Sequence, residues 1–402
     1  MMFKKITAIA LLLNSLPSLA ENFNWKLEVG TELRHFEKKS AFNTTDTTIS
    51  AHFEPEFRYE SQQGTDIYTG RLFSRVDSED SQRSHIDIRE LSWLHIIDNS
   101  DIRIGISRVF WGVTESQHLV DVINQTDLVE NPDGEDKLGQ PLIQWTHIYD
   151  WGSIDLYALL GFRERRFPGT EGRFRTEYPI INDAAYFETS NKKDNIDLAI
   201  RYSHTISNWD FAFSHFSGTN RTPTLKKYTS DNTTEFVPHY FLLEQTGFVS
   251  QYVNKNWLWK LELISAVQEN NRYTASTFGF EYTHVGLFDS QIDVGWLIEY
   301  SFDDRGTAGP SSFEHDWFSG WRFVGNDPQS TEALIGLTWD QITGENTLSL
   351  EASTRIGNNL KITFEARSYG GANKAAKHSG TSDKLLYLNS ESYAQFLLAY
   401  YF

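Results

Sequence analysis

The strongest constraint on this chain is a repeated alternation of apolar side chains with polar or small ones. In residues 292–302 apolar side chains occupy every second position from Ile292 to Phe302, and residues 49–60 and 360–367 repeat the pattern. An every-second-residue pattern is typical of β-strands with one apolar face. Strands of soluble proteins commonly span about 5–6 residues. These segments run to about 10–13 residues, the length of tilted strands that cross a bilayer.

The first residues form a separate signal. Lys4 and Lys5 precede an apolar stretch at residues 6–13, and Ser18-Leu19-Ala20 follows as a small-residue cleavage site. This order is typical of a secretory signal peptide. We therefore expect residues 1–20 to be removed near Ala20, and residues 21–402 to form one β-barrel. Beyond the signal, no apolar run approaches the roughly 18 residues that a membrane-spanning helix needs.

Composition removes several classes of protein. The chain has no cysteine, which excludes disulfide scaffolds, Cys–zinc sites and cysteine nucleophiles. Its formal charge of −18 argues against nucleic acid as a partner, because phosphate binding needs a basic surface. Aromatic residues make up 14% of the chain. An exported, cysteine-free, aromatic-rich chain leaves a soluble β protein or a membrane barrel.

The spacing of the alternating segments predicts 18 strands. Short connections alternate with long ones, as in outer-membrane barrels, and both termini then lie on the periplasmic side. The long connections are residues 37–48, 110–140, 163–194, 218–238, 303–315 and 370–390. Because an open sheet edge cannot be solvated in hydrocarbon, the sheet must close. We therefore expect an all-β, transmembrane, antiparallel up-and-down barrel of about 18 strands, with 16 as the alternative.

The last strand alternates up to a terminal phenylalanine. Ala394, Phe396, Leu398, Tyr400 and Phe402 share one face. This end resembles the C-terminal signature of bacterial outer-membrane barrels. The resemblance implies recognition of Phe402 by the barrel assembly machinery and residence in the bacterial outer membrane, with lipid and lipopolysaccharide as partners.

The long insertion after the fifth predicted strand carries the most distinctive residues. Thr114 and Gln117 have the spacing of a capping box, so we expect a short helix to follow. Asp121, Asn124 and Asp127 then recur at every third residue. Such a helix would lie in the lumen as a constriction or cap its mouth, and these three side chains would line a polar eyelet.

The same insertion resembles a known motif. The matching residues are Arg108, Trp111 and Gly112, followed by Asp121, Asn124, Asp127 and Leu128. Arg-x-x-Trp-Gly followed by Asp-x-x-Asn-x-x-Asp-Leu resembles a motif of porin-like outer-membrane barrels, related to the alginate-export and uncharacterised substrate-porin groups of Gram-negative bacteria. The likeness covers the first third of the chain and implies a channel fold without naming a substrate. The alternative is that the insertion only packs structurally, with Trp111 as a plug.

A second cluster follows the seventh predicted strand, where five arginines occur close together in an acidic chain. They are Arg163, Arg165, Arg166, Arg173 and Arg175. Guanidinium groups bind carboxylates and phosphates in bidentate fashion. The cluster could attract an anionic solute or bind lipopolysaccharide phosphates. The alternative, slightly favoured, is pairing with acids such as Asp133, Glu135 and Asp136.

Charged residues also recur on the polar faces of the strands, which in a barrel point into the lumen. The predicted ladder is Arg58, Arg71, Arg75, Arg89, Arg103, Glu262, Asp293, Glu299, Glu365 and Arg367. Charges on a low-dielectric wall focus the field and set which solutes pass. The alternative is a lumen closed by salt bridges, although 18 strands are too wide for wall side chains alone to fill.

Catalytic motifs are absent from the sequence. It holds no Gly-x-Ser-x-Gly, no His-Glu-x-x-His and no P-loop, and its 12 histidines are scattered. The sequence therefore predicts a non-enzymatic channel, without metal or cofactor, for passive diffusion of small polar or charged solutes. Residues 110–140 would narrow it, with Arg108, Trp111, Asp121, Asn124 and Asp127 at the constriction. The alternatives are a barrel enzyme acting on lipid or peptide, and a structural or export barrel for a polymer.

Overall fold

The described strands form a closed barrel. The computed structural model describes residues 22–230, 233–371 and 388–402. The expected signal peptide and most of the last long connection lie outside these ranges. In the described ranges eighteen antiparallel strands pair in sequence order, and the last strand pairs with the first from Glu28↔Tyr401 to Phe36↔Tyr393. The 18-strand prediction is confirmed, and the alternative of 16 is wrong.

The strands match the sequence-based segments to within a few residues. The barrel strands are β1 (Phe23–Phe36), β2 (Thr47–Glu60), β3 (Asp66–Asp77), β4 (His85–Ile97), β5 (Ser100–Ser107), β6 (Gln140–Tyr149), β7 (Gly152–Leu160), β9 (Ile196–Ile206), β10 (Trp209–Thr219), β13 (Leu242–Asn254), β14 (Trp257–Gln268), β15 (Asn271–His284), β16 (Asp293–Asp303), β17 (His315–Val324), β18 (Glu332–Asp340), β19 (Asn346–Ile356), β20 (Leu360–Gly370) and β21 (Tyr393–Tyr401). Three further strands, β8 (Tyr186–Phe187), β11 (Thr224–Ser230) and β12 (Thr233–Tyr240), form a small separate sheet.

The first described residue, Asn22, and the last residue, Phe402, lie at the same end of the barrel, with the short turns. The opposite end, called the loop end below, carries the long connections and the small sheet. Within the described ranges, no helix is both long and apolar enough to cross a membrane.

The alternation sorts side chains between the two faces of the wall. On β1, Trp25, Val29 and Leu33 are 37–47% exposed on the outer surface, whereas Glu32 and Arg34 are 3% exposed inside. A barrel with apolar side chains outside and charged ones inside suits lipid around it and a polar lumen within it.

One sector of the wall departs from this rule and is apolar on its inner face. The inward side chains of β6 to β15 include Leu142, Leu159, Ala212, Val249 and Ile264, all at most 5% exposed. They form a core with Trp111, Val120 and Ile123 from the insertion after β5. A fully buried Leu or Ile side chain contributes about 1.5–3 kcal/mol. The lumen therefore contains a hydrophobic core as well as polar space.

The helix expected in this insertion is absent from residues 108–139. Thr114 and Gln117 do meet, since the Thr114 hydroxyl donates to the Gln117 carbonyl at 2.5 Å. However, the backbone N–H groups of residues 113–116 donate to carboxylates on the barrel wall. The Val120 N–H, which a helix capped at Thr114 would donate to the carbonyl of residue 116, also donates to Glu262, at 3.3 Å. The prediction of a helix was wrong because the spacing did not reveal these distant acceptors.

Candidate functional site in the barrel lumen

The insertion of residues 108–139, called the inner loop below, crosses the lumen and is held by two wall carboxylates. Glu262 on β14 accepts hydrogen bonds from the Val113 N–H at 2.7 Å and the Thr114 N–H at 3.0 Å. Glu299 on β16 accepts from the Glu115 and Ser116 N–H groups, both at 2.8 Å. Both carboxylates are at most 1% exposed. They point inward as predicted for ladder residues, but they anchor the loop instead of facing open water.

His118 strengthens this anchor. Its Nε2 lies 3.3 Å from a Glu135 carboxylate oxygen, and its Nδ1 lies 3.9 Å from Glu262. Burial opposes the charged form, but the contact with Glu135 and the negative charges of Glu135 and Glu262 outweigh it and raise the pKa of His118 to about 10. His118 is therefore a cation at neutral pH.

The predicted eyelet residues hold the inner loop together. Asp121 accepts from the Trp111 N–H at 2.6 Å and the Gly112 N–H at 3.0 Å. Asn124 accepts from the Val109 N–H at 2.8 Å and donates to the Leu138 carbonyl at 2.8 Å. Trp111 is 4% exposed and packs edge-on against Tyr157. The structure thus gives these residues packing roles, as in the structural alternative weighed for this insertion.

Asp127 joins the inner loop to a buried charge network on β1 to β4. Its Oδ2 pairs with Arg89 at 2.7 Å, and the neighbouring Glu130 pairs with Arg75 at 2.8 Å. Arg75 also reaches Glu32 at 3.2 Å. Asp127 is fully buried, so it lines no open passage. The predicted ladder residues Arg75 and Arg89 serve in the same anchor.

A third anchor joins the inner loop to β20. Arg367 pairs with Asp133 at 2.9 Å, with Glu351 at 2.6 Å and with Glu365 at 2.8 Å. Asn131 donates to Glu365 at 3.1 Å. The inner loop is therefore fixed to the wall on several sides.

The remaining predicted residues lie toward the end with the termini. Arg71 pairs with Glu54, and Arg58 is half exposed, 3.5 Å from Glu60. Asp293 accepts from the Gly286 N–H of a turn at 2.8 Å, so it caps that turn. In the described part of the chain, Arg103 and Arg108 form no ion pair.

Polar space remains beside the inner loop. A cavity of about 450 Å³, called the chamber below, separates the loop from β17 to β20. The carboxylates that line it are Glu115, Asp133, Glu135, Asp316, Asp340, Glu345 and Glu351. Pro132 and Leu388 line both the chamber and a mouth cavity of about 920 Å³ at the loop end, so the two cavities adjoin.

Two of the groups that could geometrically hold a metal ion already have arginine partners. Asp127 and Glu130 converge with His85, and Asp133, Glu351 and Glu365 converge near the chamber. Arg89, Arg75 and Arg367 supply positive charge to these carboxylates. A third group consists of Glu314, Asp316 and Asp340.

A second segment, missed by the sequence analysis, crosses the mouth. Residues 163–176, called the strap below, leave β7 with Arg163 paired to Asp87. At its middle the Gly169 N–H donates to Asp80 at 3.1 Å. At its end Arg173 pairs with Glu391 at 2.5 Å, beside β21. The strap thus runs from β7, past the β3–β4 connection, to the opposite wall.

The five arginines of the cluster therefore fall into two groups, those with a carboxylate partner and those without one. Arg163 and Arg173 pair with acids, as the favoured alternative expected. The acids differ from those expected, since Asp133 pairs with Arg367 and Glu135 with His118. Arg165, Arg166 and Arg175 have no carboxylate partner in the described part of the chain.

Comparison with known proteins defines the fold class. No family model matches the sequence, and no curated protein matches it. Among solved structures, OccK5 (OpdH) of Pseudomonas aeruginosa is similar with a TM-score of 0.50 at 9% identity, over 95% of this chain and 98% of that one. A loop-deletion mutant of OmpT, an outer membrane protein of Vibrio cholerae, gives 0.46 at 10% identity, over 94% and 99%. A mutant porin of Rhodopseudomonas blastica gives 0.44 at 13% identity, over 94% and 100%. At these identities the likeness concerns the fold, which is that of a porin-like outer-membrane barrel.

Proposed function

We propose that this protein is a bacterial outer-membrane channel for passive diffusion of small polar or charged solutes, and that residues 110–140 narrow its lumen. The main support is the inner loop, which is fixed to Glu262, Glu299 and Arg367 on separate parts of the wall and leaves the chamber beside it. Passage of this kind uses no covalent step and no cofactor.

The wall supports the same proposal. The outward faces of its strands are apolar and the lumen holds charges of both signs, so field focusing acts on any solute that enters. Phe402 lies at the exposed end of an outward apolar face, where the assembly machinery of the outer membrane would recognise it. Outer-membrane lipid and lipopolysaccharide would surround the wall.

Single-channel conductance in planar bilayers tests the proposal. We expect ohmic steps from the refolded chain and none from the empty bilayer. Ser349→Trp places a large side chain in the chamber and should lower the step size by about half or more, as expected if the pore radius sets ion flow.

Leu348→Trp is the matched control, since Leu348 is 49% exposed on the outer face of the same strand. This variant should conduct like the parent chain. A folded barrel that stays electrically silent in bilayers would overturn the channel. Equal conductance of the two tryptophan variants would show that the chamber is not the passage.

A further inference from the structure

Arginines gather round a cavity at the mouth. The cavity, called the arginine cavity below, has a volume of about 760 Å³ and lies between the strap, the β3–β4 connection and the inner loop residue Leu138. Four arginines line it, namely Arg163, Arg165, Arg166 and Arg175. Its carboxylates are Glu164, which pairs with Lys193 at 2.9 Å, and Asp183.

Three of these arginines form no ion pair with a described carboxylate, whereas buried arginines elsewhere in the barrel do. Arg165 donates to the Gln125 amide oxygen at 2.9 Å and to the Thr222 hydroxyl at 3.3 Å. Arg175 donates to the carbonyls of Thr170 and Thr176. Arg166 makes no hydrogen bond or ion pair within the described residues. All these partners are uncharged.

Buried arginines at other places in the barrel show the contrast. Arg221 pairs with Asp197 at 2.5 Å, and Arg83 pairs with Glu32 at 2.8 Å. An enclosed charge without a counter-charge is destabilising, because no ion pair offsets the free energy needed to remove the charge from water. Burial lowers the pKa of Arg165 to about 10, which reflects this cost, yet Arg165 stays charged at neutral pH.

We propose that the arginine cavity is a phosphate-binding site, formed by Arg165, Arg166 and Arg175, for a phosphate group carried by a solute that enters the mouth. Guanidinium groups donate in bidentate fashion to phosphate oxygens. Near neutral pH a phosphate monoester carries about −1.5 to −2 charges, which offsets three cations better than a single carboxylate does. Arg165 and Arg175 also line the mouth cavity, which places the site inside the mouth.

Inorganic phosphate is the probe, titrated calorimetrically into the full chain refolded in detergent without lipopolysaccharide. We expect saturable binding at one site. Arg166→Gln should weaken it about tenfold or more, the usual loss for one charge-assisted hydrogen bond. Arg166 makes no hydrogen bond or ion pair with a described residue, so this variant should fold normally, which circular dichroism checks. Arg165→Gln should weaken binding similarly.

Arg272→Gln is the matched control. It removes the same charge at the mouth, but Arg272 lines the mouth cavity and not the arginine cavity. It should leave phosphate binding within about twofold, since only long-range electrostatics changes. No saturable binding, or equal weakening by the Arg166 and Arg272 variants, would overturn the site.

Phosphatidylcholine vesicles containing lipid A separate the two sources of phosphate. Binding of lipid A that depends on Arg166, without binding of inorganic phosphate, would overturn the assignment to a solute. The inference does not require ion flow. If the barrel binds phosphate in detergent but conducts no current in bilayers, the proposed channel function is wrong and the proposed phosphate site still holds.

Discussion

Glu262 on β14 accepts a hydrogen bond from the backbone N–H of Thr114 at 3.0 Å, although 148 residues separate the two in sequence. This contact fixes the tip of the inner loop to the far wall of the lumen. A carboxylate that is fully buried and receives several donors is a strong local constraint. It therefore defines how far the loop reaches across the barrel.

Removing that carboxylate should widen the passage. In Glu262→Ala, the N–H groups of Val113 and Thr114 lose their acceptor, and His118 loses one of its anions. We expect a loss of about 3–5 kcal/mol at the anchor, as for other broken buried charge contacts. The inner loop should fluctuate, and single-channel recordings should show larger and noisier current.

Glu244→Ala is the control for this variant, because Glu244 lies on the neighbouring strand β13 with a half-exposed side chain. Its current should match that of the parent chain. An unchanged current in Glu262→Ala, with the barrel folded, would mean that the tip of the loop does not limit flow.

Trp111 should contribute more to stability than the aromatic residue beside it. Trp111 is 4% exposed in the core beneath the inner loop, whereas Phe110 is 57% exposed. Large-to-small substitution of a buried aromatic residue costs about 3–5 kcal/mol. Urea unfolding should therefore shift strongly for Trp111→Ala and by less than about 1 kcal/mol for Phe110→Ala. Equal shifts would contradict the packing described for Trp111.

The strap should detach at one end when Arg173 is removed. Arg173 is 4% exposed and pairs with Glu391 and Asp46. Arg173→Ala leaves the buried Glu391 carboxylate without its donor, so amide hydrogen exchange in residues 163–176 should quicken by about tenfold or more. Lys193→Ala removes a more exposed ion pair and should leave that exchange unchanged. Slow exchange in Arg173→Ala would show that other contacts hold the strap.

Ion selectivity should change with pH through Asp136 on the inner loop. The Asp136 side chain reaches solvent, but barrel atoms surround it. Removal from bulk water is the largest cause of the shift in its pKa, and the nearby negative charges of Asp133 and Glu130 add to it. Together they raise the pKa of Asp136 to about 7. Acidification from about pH 8 to 6 therefore removes a negative charge from the lumen, while His118 stays charged. Reversal potentials in a salt gradient should shift toward anions.

Asp136→Asn should abolish that part of the shift. The stability effect has a definite sign, because the folded chain binds this proton more tightly than the unfolded chain. The contribution of Asp136 to stability should fall as pH rises from about 4 to 7. A pH-dependent reversal potential that persists undiminished in Asp136→Asn would assign the effect to other groups.

The fold was readable from sequence because lipid favours an apolar side chain at every second position of the wall strands. Trp317 and Trp321 on the outer face of β17 obey it, as do Phe396 and Tyr400 on β21. Counting the alternating segments then predicted the strand number, and the connection lengths supported it. The alternation within a strand is a local pattern, so it can be recognised without knowing which strands are neighbours.

The site was less readable because its contacts join residues far apart in the chain. The sequence placed Glu262 and Glu299 correctly on the inner face, but it could not show that loop amides reach them. The spacing of Asp121, Asn124 and Asp127 is compatible with a helix and with a folded loop alike. A usable signal did exist, since apolar residues on inner faces, such as Ile264 and Leu297, required something to pack against.

The inward apolar sector of β6 to β15 has a consequence for biogenesis. If the cylinder closed before the inner loop docked, Leu142, Val249 and Ile264 would face water in the lumen until the loop covered them. A hollow closed cylinder is thus a poor precursor of the mature protein. We therefore expect docking of the inner loop to accompany pairing of the strands that it covers.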